Sequence, residues 1–187
     1  MVFAIVRNPE GSTYLKGIAA SFKNVHIIPG DVVDYGSLEH AAKKVSKVTG
    51  GKLDYLIHNA ANTDLRIINK GFDDYANMEE LDTALISAVC HPTHHRHPSL
   101  DPSHAGPPSP LLIQYKVNSL GPIHAVTAFL PLLRASNAKK IIVLGSAASD
   151  PKTALAGNIP NFLTYSMTKA AALVAATKFA VKLRDAG

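Results

Sequence analysis

The sequence has no tryptophan, one cysteine and only 6% aromatic residues among its 187. A lone thiol, Cys90, cannot close an internal disulfide, which excludes a disulfide-stapled scaffold and suits a reducing compartment. Charge is sparse as well. Asp, Glu, Lys and Arg make up 18%, below the ~25% of a typical soluble domain. The net charge of +5 is spread without a basic block or basic–aromatic interleaving, which argues against a nucleic-acid partner. No apolar run approaches the ~18 residues of a membrane span, and Val2–Val6 is too short for a signal peptide. These absences predict a cytoplasmic protein with no membrane partner. What remains is 47% hydrophobic residues, enough to bury a core, in a length that fits about one domain.

The apolar residues are ordered as strands alternating with helices. Val2-Phe-Ala-Ile-Val6, closed by Asn8-Pro9, and Val25-His-Ile-Ile-Pro29, closed by Gly30-Asp31, are short and rich in β-formers. Ser37 can cap a helix whose Leu38, Ala41, Ala42, Val45 and Val48 share one face, and Gly50-Gly51 ends it. Leu53–Ile57 follows as a third strand. An apolar helix is expected from about Leu112 to Leu133, a fourth strand at Ile141–Leu144, and an alanine-rich helix from about Leu163 to Leu183. Continuous apolar strands between helices predict an α/β class, a doubly wound parallel sheet covered on both faces.

One stretch, from about Ala84 to Pro110, breaks the pattern. It holds six of the twelve prolines and five of the nine histidines, and no apolar periodicity survives in it. A structureless run of this length counts against its belonging to the fold. It reads as an insertion, plausibly translated intron, that could be removed by joining Asp82-Thr83 to Leu111-Leu112. A proline-rich docking segment is one alternative. A metal site built on Cys90, His91, His94, His95 and His97 is another, but the ligands lack the paired spacing of a zinc module, so no metal is expected.

Several residues carry chemistry. Tyr165-Ser-Met-Thr-Lys169 puts a phenol and an ammonium one helical turn apart on one face. The cation favours the phenolate and readies Tyr165 to exchange a proton, although a solvated lysine beside an interfacial tyrosine has the same spacing. Ser146 follows the fourth strand, where doubly wound sheets bind ligands, and either polarises a carbonyl oxygen or merely turns the chain. His58-Asn59-Ala60-Ala61 ends the third strand in small residues that let a flat ligand reach the backbone. Asn118 is an amide in an apolar helix, within Lys116-Val-Asn118-Ser-Leu-Gly121, and either braces the core or holds a water.

In this order the residues resemble the short-chain dehydrogenase/reductase family. The resemblance rests on Asp31-Val32 after the second strand, His58-Asn59-Ala60-Ala61 in place of the family's N-N-A-G, Val117-Asn118, Ser146 and Tyr165-x-x-x-Lys169. Val2–Asn8, Gly50–Ile57 and Phe129-Leu-Pro-Leu-Leu133 are similar to its fungal carbonyl-reductase branch. The resemblance covers about residues 1–83 and 111–187. It implies a single Rossmann-like NAD(P)-binding domain and hydride transfer between a nicotinamide cofactor and a small carbonyl or secondary alcohol, and it leaves room for a homo-oligomer. Tyr165 would be the acid that protonates the carbonyl oxygen and Ser146 would polarise it. Lys169 would acidify Tyr165 and hold the nicotinamide ribose, and Asn118 would hold a relay water. Asp31 and Val32 would contact the adenine, and Asn59 and Ala60 the cofactor through their backbone. Where a carboxylate would select NAD, the first strand here ends Val6-Arg7-Asn8, so Arg7 implies NADP over NAD unless it is only a surface cation.

The sequence also departs from the family. No G-x-x-x-G-x-G turn occurs among its twelve glycines, and Met1 already stands at the family's second strand. In the 3-2-1-4-5-6 order the missing strand lies between Val2–Val6 and Leu53–Ile57, leaving two interior edges. The family's C-terminal strands are also expected to be lacking, so the chain reads as truncated at both ends. The alternative function is therefore a catalytically silent fragment or interaction protein that keeps the site residues as relics.

Overall fold

The structure, a computed structural model, describes residues 1–63, 68–78 and 110–184. The segment 84–109 and its Cys90 and histidine cluster lie outside the described residues, whereas Pro110 opens a helix.

Strand β1 (Val2–Val6) pairs in parallel with β2 (Val25–Pro29), and β3 (Tyr55–His58) pairs in parallel with β4 (Lys140–Val143). Parallel neighbours need crossovers, and α1 (Thr13–Ser21) supplies the one from β1 to β2. Helix α2 (Tyr35–Thr49) leads from β2 to β3. Between β3 and β4 come α3 (Pro110–Tyr115), a π-helical turn (Lys116–Leu120) and α4 (Gly121–Arg134). After β4 follow α5 (Pro151–Ala156) and α6 (Leu163–Leu183). No ladder joins β1 to β3 among the described residues, so the α/β sheet is present as two two-stranded parallel pieces.

These elements group into two compact units. The first comprises Met1–Ala60, Leu120–Leu144 and Val174–Gly187, and the second Ala61–Ser119 and Gly145–Leu173. In the first, α2 and α4 bury Leu38, Ala41, Ala42 and Val45 against Ala125, Ala128, Phe129, Leu132 and Leu133. Ile28 joins them, with Phe3, Ile5, Leu53, Leu56 and Ile141 partly buried at the edge. Fully burying a side chain of the Leu or Phe class contributes ~1.5–3 kcal/mol, so this layer dominates the unit's stability.

Three local expectations change. Ser37 does not cap α2; the Asp34 carboxylate does, accepting from the Ser37 backbone N–H at 3.2 Å. The Ser37 hydroxyl is occupied with the Asp31 and Asp34 carbonyls instead. Val48, on the expected apolar face, is 50% exposed because the helix ends one residue later and Gly50 turns the chain left-handed at φ 64°. Among the described residues the expected cover of the β3–β4 pair is one-sided, since Tyr55, Ile57 and Ile142 are exposed while Leu56 and Ile141 pack on the core.

Candidate active site

The second unit holds all four expected catalytic side chains. Helix α6 begins at Leu163, whose N–H donates to the Lys70 carbonyl at 3.0 Å, just after Phe162 in a left-handed conformation at φ 64°. Such a backbone costs an aromatic residue ~1–3 kcal/mol and persists only where its surroundings impose it. The Phe162 carbonyl then accepts from the Ser166 N–H at 2.8 Å, starting the helix that carries Tyr165 and Lys169.

Tyr165 is half-buried, and Lys169 is buried at 5% exposed. The Lys169 ammonium stands 5.9 Å from the Tyr165 ring centroid, the outer range of a cation–π contact. Burial pushes the Lys169 ammonium below its ordinary pKa, because desolvation penalises the charged form. The two side chains thus lie one helical turn apart on α6.

Asn118 sits in the π-helical turn, 1% exposed. Its Oδ1 accepts from the Asn62 N–H at 2.7 Å, and its Nδ2 donates to the Asn62 carbonyl and to the Thr168 hydroxyl oxygen, both at 3.1 Å. Thr168 in turn donates to the Tyr165 carbonyl at 2.8 Å. Both amide hydrogens are therefore spent in bracing, and what Asn118 still offers a water is a lone pair on Oδ1. A π-turn inside a helix often marks a functional position.

Ser146 follows β4 by way of Leu144 and Gly145. Its Oγ accepts from the Ala148 N–H at 3.2 Å and caps the short turn Ala147–Ser149, which leaves the hydroxyl hydrogen available to a substrate oxygen. Thus Asn118 is joined through Thr168 to the Tyr165 backbone carbonyl, and Ser146 lies in the same unit with its side chain bonded within its own turn. Thr168 and Asn62 are site members that pattern reading passed over. The only sequence signal for Thr168 is its place beside Lys169.

The expected cofactor residues Arg7, Asp31, Val32, Asn59 and Ala60 all lie in the first unit, each just beyond the carboxyl end of a parallel strand. That is where open α/β sheets bind nucleotides. Arg7 is exposed. Asp31 folds back to accept from the Val33 N–H at 3.1 Å, and the Val32 carbonyl lies 2.8 Å from His124 Nδ1. Gly121 explains the tightness of this turn. A Cβ there would stand 3.1 Å from Val32 Cβ and 3.3 Å from His58 Nε2. Among the described residues, no group of three or more His, Cys, Asp or Glu side chains could hold a metal, and no helix is long and apolar enough to cross a membrane.

No family model matches the chain. Curated relatives do. The short-chain dehydrogenase/reductase atnB of Arthrinium sp. is 30% identical over 186 residues, covering 100% of this chain and 60% of the relative. The short-chain dehydrogenase/reductase AacuF of Aspergillus aculeatus is 30% identical over 182 residues, covering 97% of this chain and 58% of the relative. The chain thus spans about three-fifths of the length of these relatives. Among solved structures, the NADPH-bound carbonyl reductase from chicken fatty liver superposes with a TM-score of 0.68 at 23% identity, over 99% of this chain and 64% of that one. The carbonyl reductase Sniffer of D. melanogaster gives 0.68 at 20% identity, over 98% and 64%. Fold, residue order and fungal relatives agree in what the chain is similar to: members of the short-chain dehydrogenase/reductase family.

Proposed function

We propose that the chain carries the site of an NADP-dependent oxidoreductase that reduces a small carbonyl compound or oxidises a secondary alcohol. The observation that carries this reading is the buried Lys169 ammonium held beside Tyr165, with Asn118 bonded to the same turn of α6 through Thr168. Features of each unit, taken by itself, support this reading. Arg7 is exposed beyond β1, where a 2′-phosphate would need a cation. The Asp31–Val32 turn and the small Asn59-Ala60 step border strand ends. Lys169 offers ammonium donors to ribose hydroxyls.

When bound, the nicotinamide supplies a hydride to the carbonyl carbon. The protein's own groups handle the oxygen. Tyr165 holds the proton that the oxygen takes up, and Ser146 donates a hydrogen bond to that oxygen as negative charge develops on it. Lys169 stabilises the phenolate left behind, more strongly for being desolvated. Asn118 keeps the strand-end segment at Asn62 and α6 in register, and its remaining lone pair can hold a relay water.

A second reading, a catalytically silent interaction protein with relic side chains, is favoured by one observation: both amide hydrogens of Asn118 and the Thr168 hydroxyl are spent in bracing, as a purely structural network would have them. The two readings part on a single experiment, NADPH binding by fluorescence followed by NADPH consumption with a panel of aldehydes and ketones. Saturable binding and turnover support the oxidoreductase. Neither, in a folded chain, supports the silent protein.

A further inference from the structure

Within the second unit, α3 and the start of α6 meet along a polar seam that the four expected catalytic residues do not use up. Thr164 and Thr168 are four residues apart and both buried, and they immediately precede Tyr165 and Lys169. Opposite them stand Gln114 and Asn118, also four apart and both buried. The Thr164 hydroxyl donates to Gln114 Oε1 at 3.4 Å, the longest rung. Asn118 Nδ2 donates to the Thr168 hydroxyl oxygen at 3.1 Å, and the Ser119 hydroxyl donates to the Thr168 carbonyl at 3.0 Å. Successive residues turn about 100° around a helix, so holding Thr164 and Thr168 against one neighbour fixes the heading of Tyr165 and Lys169 one step round.

Stability alone does not account for a glutamine in this seam. Gln114 is 0% exposed, and its Nε2 has no hydrogen-bond acceptor among the described residues. A buried donor without an acceptor works against folding, and an apolar side chain of similar volume would fill the same space without that burden. What only a polar side chain supplies is a directional bond to Thr164, the residue before Tyr165. We propose that Gln114 and Thr164 are positioning residues, which lock the rotation of the first turn of α6 and so aim the Tyr165 hydroxyl. The proposal rests on the oxidoreductase reading for its purpose, but its geometry can be read without turnover.

Gln114→Met and Thr164→Val remove the rung at nearly constant volume, while Thr164→Ser keeps the hydroxyl. In the full chain with isotopically labelled tyrosine, the Tyr165 ring resonance is identified by its loss in Tyr165→Phe and followed through a pH titration by NMR. Thermal midpoints and kcat and KM for a carbonyl substrate are measured alongside. The expected result is an unchanged or raised midpoint in Gln114→Met, together with a displaced Tyr165 resonance in Gln114→Met and Thr164→Val. Their kcat should fall about tenfold with KM within about twofold, since small misplacements of a reacting group weigh on the chemical step. Thr164→Ser should restore both readouts. Should Thr164→Val fail to fold, Gln114→Met carries the same comparison. A Tyr165 resonance identical to wild type in folded variants, whatever the midpoint does, would overturn the proposal. A displaced resonance with serine rescue in a chain that reduces no carbonyl would uphold the positioning and overturn the oxidoreductase reading instead.

Discussion

Replacing Asn118 by aspartate tests the bracing network by changing its chemistry while keeping its shape. The side chain is 1% exposed and makes three hydrogen bonds, one accepted from the Asn62 N–H and two donated, to the Asn62 carbonyl and the Thr168 hydroxyl oxygen. In Asn118→Asp the accepted bond survives. The donating edge becomes a second carboxylate oxygen that faces the Asn62 carbonyl, and burial penalises its charge. When the introduced carboxyl is protonated it regains one donor, so the loss is one bond, ~0.5–1.5 kcal/mol. When it is ionised, an uncompensated buried charge costs about 3–5 kcal/mol. The sign follows from linkage. The carboxyl's pKa is raised on folding, so the added penalty is absent below the unfolded value of ~3.9. Above that value it grows by up to ~1.4 kcal/mol per pH unit, until the pH passes the folded value. Urea denaturation of wild type and Asn118→Asp across the acid-to-neutral range measures it directly. A difference that stays below ~1 kcal/mol at neutral pH, or that does not change with pH, would refute the network as described.

Other perturbations probe neighbouring parts of the account. Gly121→Ala should destabilise by ~1–3 kcal/mol of overpacking, partly offset by ~1 kcal/mol of helix propensity, because its methyl would stand 3.1 Å from Val32; a raised thermal midpoint would contradict this. Lys169 has its pKa lowered by burial, so its charged form opposes folding, and wild-type stability should rise with pH as the solution approaches the unfolded lysine value of ~10.4. Measured as melting temperature against pH, any advantage of Lys169→Met should therefore be greatest near neutrality and shrink in alkaline solution; a pH-independent difference would contradict this. Arg7→Ala should weaken NADPH binding by about tenfold or more, a charge-assisted bond being worth ~1.5–3 kcal/mol, and leave NADH nearly unaffected; equal losses in titrations with both cofactors would make Arg7 a surface cation.

The strands were legible because burial leaves a plain signature: Val2–Val6 and Val25–Pro29 are found with the bounds that their apolar runs suggest. Helix α6 likewise begins and ends at the expected Leu163 and Leu183. Two helices carried no such signature. Gly17 interrupts Thr13–Ser21, and Pro151–Ala156 is too short to show periodicity. The π-turn at Lys116–Leu120 is invisible to a 3.6-residue pattern, since the apolar face runs through it unbroken. In the site, Tyr165, Lys169, Ser146 and Asn118 stood out as polar groups at strand ends or on apolar helices. Gln114, Thr164 and Thr168 did not, because their meaning lies in a seam between helices some fifty residues apart in sequence, and no local spacing encodes that meeting.

The most direct test of the central claim is the Tyr165→Phe variant of this chain, assayed for NADPH-dependent carbonyl reduction beside an NADPH binding titration. The substitution removes the transferable proton and little else. The account predicts that turnover falls by about a hundredfold or more while the cofactor dissociation constant stays within about twofold of wild type. Turnover near the wild-type rate in Tyr165→Phe would contradict it.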